Sequence, residues 1–327
     1  MKTLLTRQWF LLALAGVLLA GFQLSGPLAG FAKTFPVKGL VATVLFLMAW
    51  TLDFDSVRRA VKRPQAALLG VAINLVLVPL FAWLFGLLLP EPLNLGLALT
   101  AAVPCTLASA AVWTRRAGGN DAVAMMVTTV TNVGCFVTTP LLFWLMTGAE
   151  TNTQQGPWEM ILKLTWVVVL PMLAGQALRM IPAAARWATA EKRLVSAVAQ
   201  IGILTMVLVG ATRSALEIQG AADGGFPTPI VWAGMLGIVV ALHLASLFAG
   251  FALGRLIRLE RADWIAVGIA GSQKTLMIGL YVGLDQQLGI GILPLLAYHA
   301  AQLLIDTVVA DRLSRTPVAV DEAETPL

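Results

Sequence analysis

The chain has 327 residues, of which 58% are hydrophobic and 12% charged, with a net charge of +5. Soluble domains carry about 25% charged residues, so this composition leaves too few polar side chains to clothe a water-soluble globule of this length. The basic excess does not indicate a nucleic-acid partner, because Lys and Arg punctuate apolar runs instead of forming one stripe with interleaved aromatics.

A bilayer supplies the missing apolar solvent, and an apolar run of about 20 residues crosses it as a helix. In chain order ten such runs are expected to span: Gln8–Gly26, Phe35–Leu52, Pro64–Leu89, Asn94–Trp113, Ala122–Thr147, Trp158–Arg179, Lys192–Thr212, Thr228–Ile257, Trp264–Leu284 and Gly289–Ala310. The first resembles a signal peptide, but it is longer than a usual apolar signal region and is expected to remain as a helix. Lys38 and Lys163 lie near span ends, where long side chains reach the interface. Trp9, Trp50, Trp158 and Trp264 read as interface anchors. Cys105 and Cys135 sit inside apolar runs and read as small core residues.

Orientation follows from basic residues in short loops. With the N-terminus cytoplasmic, 17 of the 22 Lys and Arg residues fall inside: Lys2 and Arg7, Arg58 to Arg63, Arg115 and Arg116, Arg179 to Arg193, Arg255 to Arg261, and Arg312 with Arg315. The alternation holds through every loop and predicts both termini in the cytoplasm, with the chain integral to the cytoplasmic (inner) membrane. The loop Gly148–Pro157 divides the spans into five and five. An odd number per half makes the halves inverted repeats, the plan of many secondary transporters. The expected organisation is therefore a first repeat over 1–148, a second over 157–312, and a disordered cytoplasmic tail over 313–327.

In such folds the informative feature is a helix interrupted at mid-membrane in each half. Span four carries Pro104 near its middle, within Val103-Pro104-Cys105-Thr106-Leu107-Ala108-Ser109. Pro104 removes a helical hydrogen bond and disfavours helix at Val103. Span nine carries Gly271-Ser272-Gln273-Lys274-Thr275-Leu276 where hydrocarbon is expected. Half-helix N-termini facing each other near Thr106 and Thr275 concentrate positive partial charge suited to an anion, and Lys274 adds a full charge. An intramembrane lysine costs about 2.5–3.5 kcal/mol on insertion scales. It reads either as a functional group or as a structural lysine, capping break carbonyls or paired with a carboxylate such as Asp306. Further polar residues at membrane depth are Asn74, Thr128, Thr131, Asn132, His243, His299, Gln302 and Asp306. His299, Gln302 and Asp306 share one helix face. His243 stands alone on its span and reads as helix–helix glue. No G-x-S-x-G, H-E-x-x-H or Walker A motif is present, and no enzyme activity is expected.

At Pro104-Cys105-Thr106-Leu107-Ala108-Ser109, Ala117-Gly118-Gly119-Asn120, Thr138-Thr139-Pro140, Gly271-Ser272-Gln273-Lys274-Thr275-Leu276 and Tyr298-His299 with Gln302, the chain resembles the bile acid:sodium symporter (BASS) superfamily, in its orphan SBF-like branch. The resemblance implies an all-α ten-helix fold with core and panel domains and broken crossing helices at spans four and nine. It also implies transport of organic anions with sodium. The carry-over is incomplete. Ser109 and Thr128 match polar positions of the first sodium site, but Ala110 replaces an asparagine and the expected glutamate falls at Ile269 or its neighbours, all uncharged. Asn74 and Gln273 match the second sodium site, which lacks the same glutamate. Lys274, next to Gln273, is expected to occupy or neighbour the lost site, replacing sodium coupling by proton coupling or uniport.

The functional expectation is a secondary active transporter of a small organic anion, working by alternating access, with Na+ or H+ as coupling ion and no other cofactor. Substrate contacts are expected from Thr106, Ser109, Lys274, Thr275, Asn132 and His299, and cation or coupling contacts from Asn74, Thr128, Gln273, Lys274 and Asp306. Two alternatives stand beside it: a cation/proton antiporter resting on Asp306 and Lys274, and a non-transporting membrane regulator of ion entry. The open cavity at the breaks that a carrier requires separates these readings. The sequence leaves the oligomeric state open.

Overall fold

The computed structural model describes residues 9–52, 64–107, 109–148, 156–220 and 228–315. Ala108 of the first break motif, the basic residues Lys2, Arg7, Arg58, Arg59, Lys62 and Arg63, most of the central loop and the tail from Thr316 lie outside them. Every regular element among the described residues is a helix, with no strand. In order the helices are α1 (Trp9–Gln23), α2 (Ser25–Thr34), α3 (Val37–Thr51), α4 (Pro64–Gly86), α5 (Glu91–Ala102), α6 (Ser109–Arg116) and α7 (Asp121–Thr147). They continue with α8 (Pro157–Arg179), α9 (Pro182–Ala190), α10 (Lys192–Gly220), α11 (Pro229–Leu256), α12 (Arg261–Ser272), α13 (Leu276–Asp285) and, after a 3₁₀ turn at Gly289–Ile292, α14 (Leu293–Arg315).

Among the described residues, seven helical segments are long and apolar enough to cross a membrane, the α12–α13 pair counted as one. The bent pair α1–α2 raises this to eight, and α3 is a shorter apolar helix. The exposed large side chains include Leu19, Leu68, Val76, Leu88, Trp158 and Trp166, an apolar exterior suited to lipid. The buried interior instead collects Asn74, Gln273, Lys274, Gln302 and Asp306. The protein is an integral multi-pass membrane protein.

Four expectations change. The first apolar run does not continue straight to Gly26: α1 stops at Gln23 and α2 leaves at 101°. Pro27 has no N–H to offer the carbonyl of Gln23, and Leu24 departs from helical geometry (φ −107°, ψ 25°). The segment between the sixth and seventh runs is not a plain loop but contains α9, whose Trp187 stacks on Trp50 with ring centroids 5.0 Å apart. Trp264 is not an interface anchor. It is buried, with the Arg255 guanidinium 4.0 Å from its ring centroid. At the other end, α14 runs to Arg315, three residues past the boundary expected for the tail. Cys105 and Cys135 are both buried, as expected.

Prolines set the irregular turns that position the site. Residues Ile73–Leu77 of α4 form a wide, π-type turn just before Pro79. There Val78 N–H bonds to the carbonyl of Ile73, five residues back. The next bond in that pattern would run from residue 79 to Asn74, but proline has no donor. The Asn74 carbonyl is thereby released from the helix.

Candidate functional site

Helix is interrupted between α5 and α6, and again over Gln273–Thr275 between α12 and α13. Backbone groups freed inside a membrane must be paired or line a wet cavity. At the first break the main-chain oxygens find partners from other elements. Ala102 O accepts from Thr139 Oγ1 at 3.0 Å, Pro104 O from the N–H of Thr275 at 2.8 Å, Cys105 O from Asn132 Nδ2 at 2.7 Å, and Thr106 O from Thr128 Oγ1 at 3.2 Å. The N–H of Cys105 donates to Thr131 Oγ1 at 3.2 Å. The Thr106 hydroxyl caps α6 by accepting from Ala110 N–H at 3.2 Å.

The second break is satisfied in the same way. Asn74 Nδ2 donates to Gly271 O and Gln273 O at 3.0 and 2.9 Å, and the Tyr298 hydroxyl donates to Ser272 O at 2.7 Å. Gln302 brackets Lys274, its Oε1 accepting from the Lys274 N–H and its Nε2 donating to the Lys274 carbonyl, both at 2.9 Å. The Lys274 side chain runs back to the first break. Its ammonium lies 2.6 Å from Asn74 O, 3.2 Å from Asn74 Oδ1, 2.6 Å from Ala101 O and 3.0 Å from Val103 O. It caps break carbonyls, yet its partner is not Asp306. That carboxylate accepts from Gln273 Nε2 at 2.5 Å and faces His243 Nε2 at 2.9 Å. His243 Nδ1 in turn lies 3.3 Å from the Tyr298 hydroxyl.

A cavity of about 590 Å³ opens beside the two breaks. Its inner wall comprises Thr106, Leu107, Ser109, Thr275, Leu276, Met277 and His299, and further out lie Trp9, Trp113, Arg115 and Arg116. The N-terminus of α13 enters it without a side-chain cap at Thr275, leaving first-turn N–H groups and the helix dipole toward the cavity. Arg115 pairs with Asp121 and Arg116 with Asp311. The Thr106 and Ser109 hydroxyls both donate to Gln273 Oε1, at 2.6 and 2.8 Å, so the wall is tied to the network around Asp306.

Thr106, Ser109, Thr275 and His299 of the expected substrate contacts line this cavity. Lys274 and Asn132 are buried behind it, turned to the break carbonyls. Asn132 Oδ1 is buried with no hydrogen-bond partner among the described residues. The coupling candidates Asn74, Thr128, Gln273, Lys274 and Asp306 meet around the breaks, all buried. His243, read from sequence as glue between helices, does join α11 to α14, but through the carboxylate of Asp306. Tyr298 carries the resemblance in sequence, while its bond to Ser272 was not foreseen. The available signal was the spacing of Tyr298, Gln302 and Asp306, four residues apart on one face.

A multi-pass helical membrane protein with two interrupted helices meeting at a buried polar network and an adjoining cavity has the construction of a membrane transporter. The chain belongs to the SBF-like CPA transporter family, whose model matches residues 8–315. It is 31% identical to an uncharacterized protein of Pseudomonas aeruginosa over 76% of this chain and 71% of that protein. It is 26% identical to an uncharacterized sodium-dependent transporter of Bacillus subtilis over 69% of this chain and 66% of that relative, slightly under two thirds of its length. It is 24% identical to the sodium/bile acid cotransporter 7-A of Xenopus laevis over 93% and 91% of the two chains. The family and the two relatives named as transporters place the chain among transporters and not among enzymes.

Proposed function

We propose that the protein is a secondary active carrier of a small organic anion, which binds in the cavity beside the two breaks. The observation that carries this reading is the cavity itself: about 590 Å³ reaching Thr106 and Ser109 of one break and Thr275 and Leu276 of the other. A membrane regulator acting through partners has no need of an open cavity at both breaks. A cation/proton antiporter needs its carboxylate in the water path, whereas Asp306 is buried and held by Gln273 and His243. An anion at α13 meets uncapped N–H groups, the Thr275 hydroxyl and the His299 ring, with the ion-paired Arg115 and Arg116 further out along the cavity.

The proposal includes ten spans in two inverted halves, over 1–148 and 157–312, moving as core and panel in alternating access. Seven long apolar helices, the bent pair, the short apolar helix α3 and the interrupted α5–α6 pair support that count. The inside bias of Lys and Arg supports an inner-membrane location with cytoplasmic termini. Arg115 and Arg116 then mark the cytoplasmic mouth of the cavity.

Thermal unfolding of purified protein across a panel of organic anions tests the binding step, since a ligand bound only to the folded state raises apparent stability. A hit is expected in wild type and lost in Ser109→Leu, whose side chain fills the cavity wall. A panel without a hit, with stability answering only to cations or pH, favours the antiporter or the regulator.

A further inference from the structure

The sodium coupling implied by the family depends on oxygens that this chain uses otherwise. A sodium site is a cage of carbonyl, amide and hydroxyl oxygens with compensating negative charge nearby. Such a cage exists here. The Asn74 carbonyl is released by Pro79 and the Asn74 amide oxygen lies beside it, while Ala101 O and Val103 O come from the end of α5. All four oxygens lie within 3.2 Å of one atom, the Lys274 Nζ. Gln273, matching the other side-chain ligand of that site, turns its Oε1 to Thr106 and Ser109 and its Nε2 to Asp306.

The first sodium position fares no better. Thr128 Oγ1 donates to Thr106 O and Ser109 Oγ to Gln273 Oε1. Ala110 brings no side-chain oxygen, and the stretch 268–271 around Ile269, where a carboxylate would balance the ion, is buried and uncharged. Around the breaks, among the described residues, Lys274 and Asp306 are one full cation and one carboxylate. A further cation would enter uncompensated at membrane depth, which costs several kcal/mol. The residues present do not fit sodium.

We infer that the Lys274 ammonium is a tethered cation standing permanently in the sodium cage, so that this transporter neither binds nor requires sodium there. The ammonium gives Asn74, Ala101 and Val103 the charge-assisted hydrogen bonds that would otherwise be ion–oxygen contacts. It locks α4, α5 and the second break together in every state of the cycle. A mobile ion would make the same contacts only when bound. Removing the side chain leaves the oxygens converging on an empty position and takes the one full cation away from the breaks. Lys274→Ala is therefore a protein with a sodium site restored.

The test is cation-dependent thermal stability of purified protein without organic anion, comparing sodium, potassium and choline chlorides at equal ionic strength. Wild type is expected to unfold at the same temperature in all three. Lys274→Ala is expected to unfold earlier in choline and to gain a saturable, sodium-selective upward shift, and Lys274→Arg to show none. If the alanine variant folds only with a cation present, it survives purification in sodium and aggregates on exchange into choline, which reads the same dependence. Saturable stabilisation of wild type by sodium overturns the inference. An alanine variant that is folded but indifferent to sodium, or lost in every salt, also overturns it. Because no organic anion enters the measurement, its failure leaves the anion-carrier reading standing.

Discussion

The N–H of Thr275 donates to the carbonyl oxygen of Pro104 at 2.8 Å, joining by main chain the two places where helix is interrupted. The pair is stable in hydrocarbon only because neighbouring side chains take up the remaining freed carbonyls. Thr139, for example, serves Ala102 O from another helix, whereas Thr129 bonds back to Met125 within its own. Thr139→Val should therefore cost about 1–3 kcal/mol by leaving a buried acceptor unmade. Thr129→Val should cost under about 0.5 kcal/mol, since the Met125 carbonyl keeps its helical partner. Thermal or denaturant unfolding of the two near-isosteric variants checks the difference.

Asp306 holds Gln273 and His243 at the same time, with no exposed surface on the carboxylate or the imidazole. Asp306→Ala strands both partners and should destabilise by about 3–5 kcal/mol, the range for breaking a buried pair from one side. His243→Ala removes one of the two contacts and should cost less. In a double-mutant cycle the two losses should fall short of additivity by more than about 0.5 kcal/mol, because the residues share a network.

Close helix packing makes a second, independent demand. A side chain at Gly250 on α11 would meet the backbone of Gly268 on α12, whose Cα lies 2.6 Å from the Cβ position. Gly16 on α1 has nothing within 4 Å of that position. Gly250→Ala should lower stability by about 1–3 kcal/mol through overpacking against backbone. Gly16→Ala should leave stability unchanged or raise it by up to about 1 kcal/mol through helix propensity. Opposite signs in one unfolding assay support the packing; equal losses speak against it.

The sequence carries the parts of this architecture that depend on local chemistry. Long apolar runs appear as helices, and Pro104 and the polar stretch Ser272–Thr275 fall where helix stops. The bend at Leu24 was written in Pro27, but hydrophobicity runs straight across it and hides it. The destination of Lys274 was not legible, because its four oxygens come from residues 74 to 103 and become free only through Pro79 and Pro104 acting on other helices. Composition marks an intramembrane lysine as costly, not whether it faces a cavity or a cage. Likewise Ser246, the nearest polar residue to His243 along α11, bonds back to Leu242 O and offers it nothing, and the partner Asp306 is supplied by the packing of α14.

The measurement closest to the central claim is uptake of a binding anion into proteoliposomes under choline, with no sodium on either side. A carrier working from this cavity predicts saturable uptake by wild type, unchanged when sodium replaces choline and abolished in Ser109→Leu. Binding of the anion without any uptake in either salt would contradict it and identify the protein as a regulator that senses the anion without moving it.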